Sequence, residues 1–180
     1  MKIQVLIFIL SVSLCISYGQ TPVDNIIEEL EILSNASFNN WKYTTEMNLT
    51  PVQISRPDFD DSGWKNLKFD ERIYPDSCWL RKRITLPDYI AGEQVSGEMN
   101  LLLSVDDYGY LYVNGENRGH FPWDGEFLLT QNARPGEKYV LVIKAVNTGG
   151  PLRLIRARLY HVMPPRRANS PRPATSRTLL

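Results

Sequence analysis

From Trp41 onward the chain alternates apolar and polar residues with a period of two, and no segment of helical period separates one run from the next. Trp41, Tyr43 and Thr45 alternate with Lys42, Thr44 and Glu46. Further runs follow at Cys78–Leu86, Met99–Val105, Gly109–Val113, Phe127–Thr130, Tyr139–Val146 and Leu152–Tyr160, each rich in Val, Ile, Leu or aromatics. Asn114-Gly115 directly after Tyr110–Val113 is a hairpin signal, because Asn-Gly accepts the positive φ of a tight turn. Pro135-Gly136 and Gly149-Gly150-Pro151 mark two more reversals. Six or seven short strands without crossover helices predict an all-β sandwich over 41–163 rather than βαβ units. Within Leu152–Tyr160, simple alternation sets Leu152, Leu154, Arg156, Arg158 and Tyr160 on one face and Arg153, Ile155, Ala157 and Leu159 on the other. Three arginines on one strand suggest a solvated face or an edge kept polar.

The flanks read differently. Residues 22–34 carry Ile26, Ile27, Leu30 and Leu33 on one helical face behind a capping Asp24, which predicts a short N-terminal helix in a linker over 20–40. Met1-Lys2, the apolar run Ile3–Ile16 and the small residues Ser17 and Gly19 have the layout of a cleaved signal peptide over 1–19. The run is shorter than the ~20 apolar residues of a spanning helix, so no transmembrane segment is expected. Cys15 admits a lipoprotein alternative, which Leu14 disfavours because lipidation calls for a small residue there. Cleavage after Gly19 leaves Cys78 as the lone cysteine, and its apolar setting reads as a buried small hydrophobe. Residues 164–180, with four Arg and no acid, read as a disordered basic tail.

With that tail and Lys2 set aside, 15 basic residues face 20 acidic ones. A mildly acidic body is a poor nucleic-acid surface, since phosphate binding draws on clustered Lys and Arg. At 180 residues the chain is also short of the about 250 that a (β/α)₈ barrel needs.

Four motifs in order carry a resemblance: Asp60-Asp61-Ser62-Gly63-Trp64, Cys78-Trp79-Leu80-Arg81-Lys82, the run from Val105-Asp106-Asp107 to Val113-Asn114-Gly115, and Pro135-Gly136 through Val146-Asn147. Together they resemble the N-terminal sugar-binding domain of family 2 glycoside hydrolases and its galactose-binding-domain-like jelly-roll relatives. Ile73–Arg81 and Asp106–Trp123 also resemble accessory domains of large secreted α-mannosidases. The resemblance implies a jelly-roll sandwich, carbohydrate as ligand, and downstream catalytic domains in a longer enzyme.

No residue of the chain reads as catalytic. Asp60-Asp61 and Asp106-Asp107 are adjacent acids, and neighbours on an extended strand point to opposite faces, whereas glycoside hydrolysis uses two acids flanking one bond. Asp60 and Asp61 suit a turn, while Asp106 or Asp107 suits holding a loop or, with more oxygens than the sequence supplies nearby, calcium. His120 and His161 lack partners at metal spacing, and no cofactor is expected.

The most informative stretch is Gly119–Glu126, read as a loop. Sugars stack a C–H face on an aromatic while a carboxylate accepts their hydroxyls. Trp123, Asp124, His120 and, from the preceding strand, Asp107 are therefore the candidate carbohydrate-binding residues. The competing assignment has Phe121 and Trp123 plugging one end of the sandwich. Two functions follow: a non-catalytic carbohydrate-binding module of a secreted glycoside hydrolase, or a secreted structural or interaction sandwich that binds no sugar.

Overall fold

A computed structural model describes residues 38–161 apart from Ala91. The expected signal peptide, N-terminal helix and basic tail lie outside the described residues. What is described is almost wholly antiparallel strand, as the alternation predicts.

The strands are β1 (Trp41–Thr44), β2 (Lys65–Leu67), β3 (Ser77–Thr85), β4 (Tyr89–Ile90), β5 (Glu93–Gln94), β6 (Gly97–Val113), β7 (Glu116–Ala133), β8 (Lys138–Val146) and β9 (Arg153–His161). The 17-residue β6 and 18-residue β7 form one long hairpin, turned at Asn114-Gly115 with both turn residues at positive φ. This hairpin organises the molecule. Along Met99–Asp106, β6 pairs with β9, and along Tyr108–Val113 it pairs with β8, with β7 on its other edge throughout. The sheet therefore has two limbs. The larger runs β2-β1-β3-β8 and the distal half of the hairpin; the smaller is β9 and the proximal half. The limbs meet where the β6–β7 register shifts, between Val105 and Tyr108.

Two predicted strands, Met99–Val105 and Gly109–Val113, are thus one, because Asp106-Asp107 kinks the strand without ending it. Likewise Gly119–Glu126 is not a loop but the middle of β7. Its Gly and Pro, which read as loop signals, lie within the paired strand. Gly125 sits between two rings: a Cβ there would lie 2.6 Å from both Phe121 and Phe127. In β9 the single alternation also fails. Leu154 lies opposite Val105 and Arg156 opposite Ser104, so Ile155 is the extra residue of a β-bulge. The bulge resets the phase, which turns Leu152, Leu154, Ala157 and Leu159 all inward and buries them.

The main core fills the space between the limbs. Leu80, Leu111, Leu141, Ile143 and Ala145 from the larger limb meet Met99, Leu101, Leu103 and Val105 from the smaller, all fully buried. A second cluster lies outside the larger limb. There Trp79, Val140 and Val142 are roofed by Ile54, with Met47, Leu49, Phe59 and Trp64 packed around them. The roof holds a one-turn helix, α1 (Pro51–Ile54), that the period-two reading misses. A reciprocal capping box starts it: Gln53 N–H donates to Thr50 Oγ1 (3.3 Å) and Thr50 N–H to Gln53 Oε1 (2.9 Å), with Pro51 in the first turn.

Arg81 fastens this roof to the sheet. It is 1% exposed, and its guanidinium donates to Ile54 O (2.7 Å), Arg56 O (2.9 Å) and the Asp61 carboxylate. Its cationic carbon lies 5.6 Å from the centre of the Phe59 ring. Burial pulls the Arg81 pKa below its ordinary value, and the Asp61 charge opposes that shift. The other Asp61 oxygen accepts from Arg83 at 3.1 Å. Asp61 is thus more than the turn residue expected of it. Asp60 supplies the turn, accepting Ser62 N–H at 2.9 Å, which lowers its pKa.

Removing Asp61 strands a buried cation, so Asp61→Ala is expected to destabilise the fold by about 3–5 kcal/mol in urea unfolding. Arg83→Ala, at a side chain 56% exposed, is expected to cost less than about 1 kcal/mol.

Candidate functional site

The roof of residues 47–64 packs on one part of the larger limb's outer face, and another part lies beyond it. The sequence Tyr108-Gly109-Tyr110-Leu111-Tyr112-Val113 decides what lies there. Gly109, Leu111 and Val113 face the core, so the three tyrosines face outward. Gly109 is needed on the inner side: a Cβ there would lie 2.8 Å from the Phe121 ring and 2.9 Å from Ile143. Tyr112 is edge-on to Trp79 at 6.2 Å, in the roofed cluster. Tyr110 and Tyr108, further from the roof, are half-exposed.

These two rings meet edge to face at 6.2 Å, and the exposed His120 ring lies 5.9 Å from Tyr110 at an interplanar angle of 34°. Lys144 is the direct neighbour of Tyr110 on β8, and His120 its neighbour on β7. The result is a strip of aromatic faces flanked by an ammonium and an imidazole. It offers C–H stacking and hydrogen bonding together, which is the chemistry of a saccharide platform. Tyr108, Tyr110 and Lys144 were not among the sequence candidates. The alternation that places the tyrosines together is visible in the sequence, but which face the roof would leave open is not.

The four sequence candidates do not form one pocket. His120 belongs to the strip. Asp124, opposite Ser104 on the smaller limb, is on the outer face of the other layer. Trp123 stands at the fold line between the limbs with φ +55° and is 49% exposed, whereas Phe121 is buried against the core. Of the two aromatics proposed as a plug, Phe121 alone fills that role. Asp107 is already bonded: its carboxylate accepts Thr148 N–H (2.6 Å) and Thr148 Oγ1–H (2.5 Å), which ties the β8–β9 loop to the kink and lowers the Asp107 pKa. Asp106 is held by Arg153, whose Nε lies 3.0 Å away and whose Nη1 reaches Asp70 at 3.0 Å.

Both carboxylates of the Asp106-Asp107 pair therefore hold structure. Burial pushes the Cys78 thiol up to about 12, so it supplies no thiolate near neutral pH. Among the described residues no three His, Cys, Asp or Glu side chains gather to hold a metal ion. None of the described helices is long and apolar enough to cross a membrane.

Asp107 generates a pH prediction. Its folded pKa is depressed, so its contribution is present above the unfolded value of about 3.9 and is lost as pH falls through the lower folded pKa. The melting temperature of wild type is expected to exceed that of Asp107→Asn at pH 6. Thermal melts down to pH 2 are expected to show the gap narrowing below about pH 4.

No family model and no curated protein matches the sequence. Solved structures do match the fold. A Bacteroides uniformis β-glucuronidase 2, covalently bound to cyclophellitol-6-carboxylate aziridine, superposes with a TM-score of 0.53 at 18% identity over 67% of this chain and 17% of that one. A glycosyl hydrolase family 2 member from Bacteroides cellulosilyticus gives 0.51 at 13% identity, over 67% of this chain and 19% of that one. The chain thus spans less than a fifth of these proteins' length. At these identities the likeness is one of fold, and it makes the sandwich a domain structurally related to those of glycoside hydrolases.

Proposed function

We propose, from a fold shared with family 2 glycosyl hydrolases, that this chain is a non-catalytic carbohydrate-binding module of a secreted glycoside hydrolase. The observation that carries the reading is the strip of half-buried Tyr108 and Tyr110 with exposed His120 beside Lys144. A sugar stacked on the half-buried rings covers the apolar surface they still present. Tyrosine presents such a face with little conformational freedom to lose on binding. Lys144 and His120 then orient the sugar through its hydroxyls. Trp123, half-exposed at the fold line, is a second stacking face within the same hairpin. The leader read in the sequence delivers the module out of the cell, and hydrolysis belongs to domains beyond this sandwich.

Glycan-array screening followed by calorimetry on wild type tests the assignment. Tyr110→Ala is expected to weaken binding about tenfold, and Trp123→Ala to weaken it less. Because both rings lie outside the core, either substitution is expected to cost less than about 1 kcal/mol in stability. Purified protein is expected to leave aryl glycosides uncleaved. A wild type that binds no glycan would leave the structural sandwich as the function.

A further inference from the structure

The outer face of the smaller limb carries a pattern that carbohydrate binding does not use. Its inward residues Met99, Leu101, Leu103 and Val105 are fully buried, so Asn100, Leu102 and Ser104 line the other side. Register then sets three rows across the strands. Arg156, Ser104 and Asp124 form the first, Arg158, Leu102 and Glu126 the second, and Tyr160, Asn100 and Leu128 the third. The bond from Asn100 Nδ2 to Glu126 Oε1, at 3.1 Å, confirms that these side chains share one face. One wall of the face is therefore basic (Arg156, Arg158) and the other acidic (Asp124, Glu126). Two inter-strand spacings, about 10 Å, separate them.

Among the described residues, neither Arg156 nor Arg158 makes a salt bridge, and neither do Asp124 and Glu126. Leu128 is 39% exposed at the end of the third row. A basic wall and an acidic wall, neither neutralised by a salt bridge among the described residues, leave the face without an electrostatic complement.

We propose that the complement is a second copy of the same face, related by a two-fold axis running along β6 in the plane of contact. That operation exchanges the walls and keeps the rows. Arg156 then meets Asp124 of the partner subunit, and Arg158 meets Glu126 of the partner subunit. Each pairing occurs twice, as an isologous interface requires. In the third row Tyr160 covers the partner's Leu128. A two-fold running across the strands would instead set like charge on like, so the charge pattern selects one geometry. The contact is three strands wide, which makes it a weak dimer sensitive to salt.

Sedimentation equilibrium on the full chain tests this, with the mass expected to rise toward twice the monomer at concentrations on the order of 1 mM and to fall back at high salt. The doubly reversed variants Arg156→Glu/Arg158→Glu and Asp124→Arg/Glu126→Arg are each expected to remain monomeric. Their equimolar mixture is expected to associate at least tenfold more tightly than wild type, since one face is then wholly acidic and the other wholly basic. That rescue requires both variants to be folded, which circular dichroism verifies. If Glu126→Arg disturbs the fold by losing its bond to Asn100, the single exposed change Arg156→Glu is expected to weaken wild-type association on its own. A wild type that stays monomeric, or a dimer that persists in both variants, overturns the proposal.

Discussion

The buried guanidinium of Arg81 decides which surfaces this sandwich leaves open. An arginine in the middle of a sheet strand is costly unless its charge and its donors are all met, and here they are met from one direction. Asp61 supplies the charge, and the carbonyls of Ile54 and Arg56 take further donors. The groups that satisfy it sit on one segment, so that segment lies down over Trp79, Val140 and Val142 and nowhere else on the face. Tyr108 and Tyr110, beyond its reach, stay half-buried. The two motifs that share a resemblance to sugar-binding domains, around Asp61 and around Arg81, are thus two halves of one contact. Their significance is first architectural.

The second constraint is the hairpin. β6 and β7 are each long enough to belong to both limbs, and the kink at Asp106-Asp107 lets one pair of strands serve as two. Acids placed at such a kink have backbone and loops to hold. Asp106 holds Arg153 and Asp107 holds Thr148, and through them β9 and the loop before it are fixed against the bend. Close packing adds a demand for glycine at Gly109 and Gly125, where Phe121 and its neighbours leave no room for a side chain. Residues that look like catalytic or loop signals in isolation are the fittings of a bent sheet.

The hairpin also explains why the candidate residues part company. His120 and Asp124 are four apart in sequence, and alternation alone puts both on the outer side of β7. The limbs fold over one another between them, so outward for His120 and outward for Asp124 are opposite directions in space. Proximity along a strand became separation across a sandwich. The same folding assembled groups that are far apart in sequence: Tyr110 with Lys144 and His120, and Arg156 and Arg158 with a wall of Asp124 and Glu126.

Strand class and turn positions were legible in the sequence, because period-two patterning and Asn-Gly or Pro-Gly turns are local and follow from how a pleated backbone presents its side chains. Cys78 as a buried hydrophobe was legible from its apolar setting, whereas Phe121 lies in a stretch that reads as a loop, and its burial follows from the strand that stretch forms. The one-turn helix α1 had a local signature too, in Thr50-Pro51 and Gln53, but it is too short for periodicity to register. Tertiary structure alone decided the rest. The phase reset at Ile155, the union of two strand runs into β6, the burial of Arg81 and the choice of bare surface all depend on partners distant in sequence. Burial and register are set by which strands meet, and a charge such as Asp61 acquires its role from the group it faces after the chain has closed.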